Sequence, residues 1–222
     1  TTAMLQWAAQ NLSQEELGQV GSSLTPADQE LLDSMPSILR RQLEFPYIDG
    51  QVFVSTLIGQ GGWGTVNEAW DRLPTSTEQI LHPERYPDDA PVKVAMPDVA
   101  AALGDGWDAN YIQTMGELDM SVLLAGGGDG AAAADGWGGD RLVSLEGPDG
   151  SWAVVWQTAW DSGSDADEFS AAADSVLSDL DGARAVLPGA DRAGALGSPV
   201  LVLLASSGDT LQQVQEALGV SQ

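Results

Sequence analysis

Apolar positions change their spacing several times along the chain. Over 1 to 18, Met4, Leu5, Trp7, Ala8, Leu12 and Leu17 recur at near-helical intervals with no capping residue ahead of them, so the chain is expected to open inside a helix, as a cut through a longer protein would. Thr25-Pro26-Ala27-Asp28 begins a second helix, with Thr25 as N-cap and Pro26 at the first helical position, running past Leu31 and Leu32 to Pro36. Ile38, Leu39 and Leu43 mark a further helical segment. Phe45-Pro46-Tyr47 reads as extended, and Gly50 to Gly59 fits two elements: length and β-branched residues favour a strand, whereas apolar residues on all sides suit a buried helix.

Gly61-Gly62 then interrupts the pattern. Trp63 to Trp70 and Glu78 to Tyr86 form two short helical pieces joined by an elbow at Pro74, with Thr75 and Glu78 spaced as a capping box. Val92 to Met96 is a short predicted strand ended by Pro97, and Asp98 caps a brief turn. Thr114 to Leu124 is a helix stopped by Gly126-Gly127-Gly128, a candidate linker. Beyond it, Arg141–Leu145 and Trp152–Trp160 make a hairpin across Gly147-Pro148-Asp149-Gly150. A helix through Phe169, Val176 and Leu180, a proline- and glycine-rich loop, a buried strand at Val200–Leu204 and a closing helix from Asp209 to Leu218 complete the chain. The pattern predicts an α+β fold: a helical N-terminal half followed by a small antiparallel sheet packed with helices. Its expected parts are 1–125 and 126–222, either separate or as one continuous domain.

Charge changes what such a fold can bind. Against 33 acidic residues stand 8 basic ones, Lys93 and seven arginines, for a net charge of -25. Nucleic acid and anionic membrane surfaces would repel the chain. The acids lie among tryptophans and apolar runs, unlike those of a disordered tail. Scarcity of lysine with abundant Asp, Ala, Gly and Val instead suits a solvated surface in very high salt, where repulsion is screened over roughly 3 Å at 1 M. There is no cysteine, hence no disulfide, thiolate metal site or cysteine nucleophile. No apolar run approaches the roughly 18 residues of a membrane span.

Candidate chemistry is sparse. Gly59, Gly61, Gly64 and Val66 match a kinase glycine loop, but the Asp-Phe-Gly and His-Arg-Asp motifs that a kinase needs are missing. Thr1 matches an N-terminal nucleophile in type, although such residues normally open a strand. His82, the sole histidine, has Glu78 one turn earlier, which gives two ligands at most and no complete zinc site; a structural role at the elbow is the alternative. Trp63 and Asn67 complete the weak functional candidates. Asp161, Asp165, Asp167 and Glu168 suit either calcium or a helix N-terminus. Asp135, Asp140 and Arg141, around Gly136-Trp137-Gly138-Gly139, are placed to form an ion pair in a tight turn. The strand tryptophans suit a core better than a carbohydrate platform.

Taken together, Phe45-Pro46-Tyr47, Gly61-Gly62-Trp63, Thr75-Ser76-Thr77-Glu78-Gln79-Ile80-Leu81-His82-Pro83 and Gly136-Trp137-Gly138-Gly139-Asp140-Arg141 resemble a poorly characterised family of secreted or lipoprotein-like proteins of bacteria and halophilic archaea. The similarity runs from about Phe45 to Phe169. In fuller members, a His-Glu-x-x-His helix and a later Glu-Gly-Asp-Ala segment look like the core of a gluzincin-type zinc metallopeptidase. Neither motif occurs in this chain, so the resemblance transfers no zinc ligand and no catalytic base. What it implies is a structural role for the Ser-Thr-Glu-Gln-x-x-His-Pro elbow at 76–83, flanking a cleft, and an extracytoplasmic location. Together with the charge pattern this leads to the expectation of a salt-adapted protein from a high-salt organism, catalytically incomplete as it stands, acting in binding or assembly with a protein partner or its own upstream segment. The alternatives are the C-terminal part of a zinc peptidase, with zinc held only with an upstream segment, and a calcium-dependent surface module.

Overall fold

The computed structural model describes residues 2–20, 25–127, 129–189 and 197–220. Thr1, the nucleophile candidate, lies outside them. Contacts divide the chain into two compact units: Thr1–Thr75 with Gln79–Asp89, and Ser76–Glu78 with Ala90–Gln222. Gly126 and Gly127 therefore fall inside the second unit, in a 3-10 turn at Ala125–Gly127.

The first unit is helical. It contains α1 (Thr2–Asn11), α2 (Gln14–Val20), α3 (Pro26–Ser34), α4 (Ser37–Gly61) and α5 (Trp63–Asp71). Thr25 caps α3 as its sequence predicts: its Oγ1 accepts from the Asp28 amide at 3.2 Å, while the Asp28 carboxylate accepts from the Thr25 amide at 2.8 Å. The extended and strand readings of 45–59 are corrected. Pro46 and Gly50 lie within the 25-residue α4, which buries Phe53 and Leu57 against Val66 and Ala69 of α5. Tertiary packing of that face outweighs the local preferences of Pro, Gly and the β-branched residues. Gly62, at φ 72°, ends α4 and lets the chain turn into α5.

Helix α6 (Glu78–Leu81) has Glu78 in the second unit and its other three residues in the first; the second unit holds the short helix α7 (Val99–Leu103), then α8 (Gly116–Leu124), α9 (Gly163–Leu177) and α10 (Gly208–Leu218). Its sheet is antiparallel throughout, with β1 (Asp108–Gln113), β2 (Trp137–Glu146), β3 (Trp152–Trp160), β4 (Ala183–Pro188) and β5 (Ser198–Ala205) in the order β1-β2-β3-β5-β4. This is the expected α+β architecture. The β2–β3 hairpin closes at Pro148–Gly150 as its turn residues predict. Val92–Met96, by contrast, is no strand: only the Val92 amide reaches the sheet, donating to the Gly138 carbonyl at 2.8 Å.

Side chains alternate across the strands and feed two separate cores. Val143, Leu145, Val155, Leu201 and Leu203 face α7 and α10, joining Val99, Leu211 and Val214. On the opposite face, Trp156, Trp160, Val200 and Val202 meet Met120 and Leu124 of α8 and Phe169, Ala173 and Leu177 of α9. Phe169 stacks on Trp160 at 4.6 Å and meets Trp156 edge-on at 5.4 Å. The strand tryptophans are thus core residues, apart from the half-exposed Trp152 at the hairpin end.

Candidate functional site: an apolar helical surface

Among the polar residues singled out in the sequence, Asp140 has the most complete environment. It is buried and accepts four hydrogen bonds, from the amides of Met115 and Gly116, both at 2.9 Å, and from the indoles of Trp137 at 3.0 Å and Trp156 at 3.1 Å. The first two open α8, whose third amide, Leu118, donates to Thr77 Oγ1 at 3.3 Å. Asp140 and Thr77 thereby cap α8 where its dipole favours negative charge. Burial raises the Asp140 pKa, and the four N–H donors oppose that rise. The expected Asp140–Arg141 ion pair does not form, because neighbours on a strand point to opposite faces. With every carboxylate lone-pair direction filled from inside the core, Asp140 is a structural pin.

Glu78 is buried in the second unit and His82 half-buried in the first, where His82 Nδ1 lies 3.6 Å from the exposed Glu84 carboxylate. The Thr75 amide donates to Gln79 Oε1 at 2.8 Å, and the Gln79 side-chain amide donates onward to the Asp89 carbonyl at 2.6 Å. Of the acidic run at α9, Asp165 closes a cap with Ser162, whose hydroxyl donates to it at 2.7 Å and accepts from its amide at 3.2 Å. Asp167 and Glu168 point to solvent. The helix-terminus reading accounts for that cap.

Trp63 leads in another direction. It opens α5, and its indole donates to Gln6 Oε1 on α1 at 3.0 Å, while Asn67, one turn on, is exposed. Thus Trp63 fastens α1 within the helical unit. Helix α1 carries no charged side chain and buries only Ala8. Met4, Trp7 and Tyr47 are 75%, 60% and 63% exposed, and with Ala3, Leu5, Ala8 and Leu12 they line a groove of about 670 Å³. Tyr47 also borders a second, shallower groove on α4, lined by Ile48 and Val52 together with Gln51, Ser55 and Thr56, so the surface continues from α1 onto α4 with mixed polarity. Farther along α4, Leu39 and Leu43 are exposed at the heptad spacing that leads, through Pro46 and Gly50, to the buried Phe53 and Leu57. One stripe of α4 is therefore core at its C-terminal end and solvent-facing at its N-terminal end. Sequence reasoning found the apolar residues of α1 by their helical spacing; the fold shows that Met4, Leu5 and Trp7 are left uncovered by the described residues.

The second unit defines an α+β class of protein in which helices cover both faces of an antiparallel sheet. The family described as Domain of unknown function (DUF8575) matches residues 103–215, just over half of the chain, and the chain belongs to that family. No curated protein and no solved structure matches it. The matched span runs from the end of α7 into α10 and takes in all five strands. The grooves on α1 and α4 lie outside it. No helix among the described residues is long and apolar enough to cross a membrane.

Proposed function

We propose that this chain is a binding or assembly component, extracytoplasmic and adapted to high salt, whose partner engages the apolar surface of α1 and α4. The observation that carries this reading is the exposure of Met4, Trp7 and Tyr47 around one apolar groove, with Ile48 and Val52 exposed beside Tyr47 on α4, in a strongly acidic chain. Contiguous apolar surface of this kind marks interaction sites, and large aromatics supply most of the binding energy in such interfaces. The acidic surface keeps the protein dissolved in salt concentrations that strengthen apolar association.

Gel filtration of the native protein, taken from its host in molar salt, tests the reading. The wild type is expected to elute above the 23.1 kDa of the chain, and the double variant Trp7→Ser, Tyr47→Ser to elute as the free chain with an unchanged circular-dichroism spectrum. Identical elution of the two would overturn it. The salt adaptation has its own measurement: the unfolding midpoint falls when salt is diluted from about 1 M to 0.01 M, as screening is lost, and a constant midpoint refutes that part alone.

A further inference from the structure

Building on the reading of the α1–α4 surface as a binding face, we infer that its occupant is an amphipathic helix with lysine or arginine flanking its apolar side. Three observations carry the inference. The groove is lined solely by apolar and aromatic side chains from α1 and Tyr47 of α4, the setting in which a helix places anchors at i, i+3 or i+4, and i+7. Its rear wall is fixed, because Trp63 holds α1 through Gln6 and Ala8 is buried.

The N-terminal part of the helical unit is predominantly negative in charge. No residue before Arg40 is basic, whereas Glu15, Glu16, Asp28, Glu30 and Asp33 follow α1 on α2 and α3. The first two cations of the unit are already paired: Arg40 lies 3.6 Å from Asp33, and Arg41 holds Asp49 through both guanidinium nitrogens. A basic helix therefore meets complementary charge. At low salt a second copy of this chain would bring a further net charge of -25 against it, and an anionic bilayer would be repelled in the same way; at molar salt that repulsion is screened, and the self-association arm of the test decides.

The test uses the full chain and three labelled synthetic peptides of about 18 residues, roughly five helical turns. One is a leucine–lysine amphipathic helix, the second its leucine–glutamate counterpart, and the third a scrambled leucine–lysine sequence without an apolar face. Fluorescence anisotropy is read at about 0.15 M and about 1 M salt, where screening separates apolar docking from charge adsorption. The amphipathic lysine peptide is expected to bind at least about tenfold more tightly than either control at the lower salt and to keep measurable affinity at the higher. Trp7→Ser with Tyr47→Ser should weaken it by at least about tenfold with unchanged thermal midpoint. Equal binding of the scrambled peptide, equal binding of the glutamate peptide, or no effect of the double variant would each overturn the inference. So would concentration-dependent self-association abolished by the same variant, which gives the face to a second copy, or binding to phosphatidylglycerol vesicles with no peptide selectivity. If the peptide fails while the native complex on gel filtration is still lost in the variant, the binding face stands and only the basic helix is wrong. If that complex is missing as well, both readings fall.

Discussion

The two units of this chain solve the same problem to different extents. In the second, a sheet with helices on both faces divides its apolar side chains into two closed cores and satisfies the Asp140 carboxylate with four donors. In the first, the buried cluster is Phe53, Leu57, Val66 and Ala69, and larger apolar groups than these remain in solvent. Composition does not separate the two, since both contain tryptophan, leucine and carboxylates. What separates them is geometry: a sheet offers two faces that a few helices close, whereas a long helix such as α4 needs neighbours along its whole length, and α5 with the small cluster around it covers only its C-terminal half. An unclosed core costs stability unless something else covers it, and the proposed binding role of the first unit rests on that difference.

Substitutions inside the closed cores should have the largest effects. Asp140→Ala leaves four N–H groups without an acceptor and is expected to cost about 3–5 kcal/mol in urea unfolding. Phe169→Ala, which empties the space against Trp156 and Trp160, should cost a similar 3–5 kcal/mol. A loss below about 1 kcal/mol in either would mean that the second unit is not closed as described. Next in size is Gly182→Ala, in the turn between α9 and β4. Gly182 has φ 112°, and a Cβ there would stand 2.4 Å from the Ala205 carbonyl oxygen, so the strained backbone and the forced shift together should cost about 1–3 kcal/mol.

The pH dependence tests the same pin. Because burial raises the folded-state pKa of Asp140, its contribution to stability is fully present below the ordinary carboxylate range and is lost as pH rises through the raised value. Each unit of displacement corresponds to about 1.4 kcal/mol. In Asp140→Asn this group no longer titrates, so the wild type's advantage over that variant should be greatest near pH 3 and shrink as pH rises toward neutrality. An advantage that grows with pH would show that the four donors outweigh burial. Smaller again is Trp63→Phe, which removes the indole's bond to Gln6 and keeps the ring; about 0.5–1.5 kcal/mol and faster amide exchange in α1 are expected. Unchanged exchange would release α1 from that tether.

Much of the second unit was legible because its signals are local. Gly147-Pro148-Asp149-Gly150 fixed the hairpin, the apolar run Trp152–Trp160 after it located β3, and the acidic run containing Asp165 marked the start of α9. Two strands escaped for opposite reasons. β1 is almost wholly exposed and has no apolar alternation to detect, and β4 is a short edge strand ending at Pro188 that looked like the start of a loop. In the first unit, Pro46 and the glycines of 50–59 masked a helix that packing stabilises. The role of Asp140 was hidden because its donors come from Met115 and Gly116, far away in sequence, and adjacency to Arg141 pointed to the wrong partner. The α1–α4 surface was hidden more completely, since periodicity reveals which face of a helix is apolar and is silent on whether a neighbour covers it.

That distinction sets the smallest predicted effect and the sharpest contrast. Leu43 is exposed on the stripe of α4 that farther along buries Phe53 and Leu57, and Tyr47, one turn after Leu43, is exposed beside it. If the N-terminal half of the stripe serves binding and adds nothing to the fold, Leu43→Ser and Tyr47→Ser change the unfolding free energy by no more than about 0.5 kcal/mol each, as exposed positions away from caps and packed contacts do. Leu57→Ser, on the same stripe, removes a fully buried side chain and places a hydroxyl in the cluster, with an expected loss of about 2–5 kcal/mol. Comparable losses at positions 43, 47 and 57 would mean that the stripe is buried along its whole length in the folded state and would remove the argument for a binding face, whereas a small loss at 43 and 47 with a large one at 57 separates recognition from folding within a single helix.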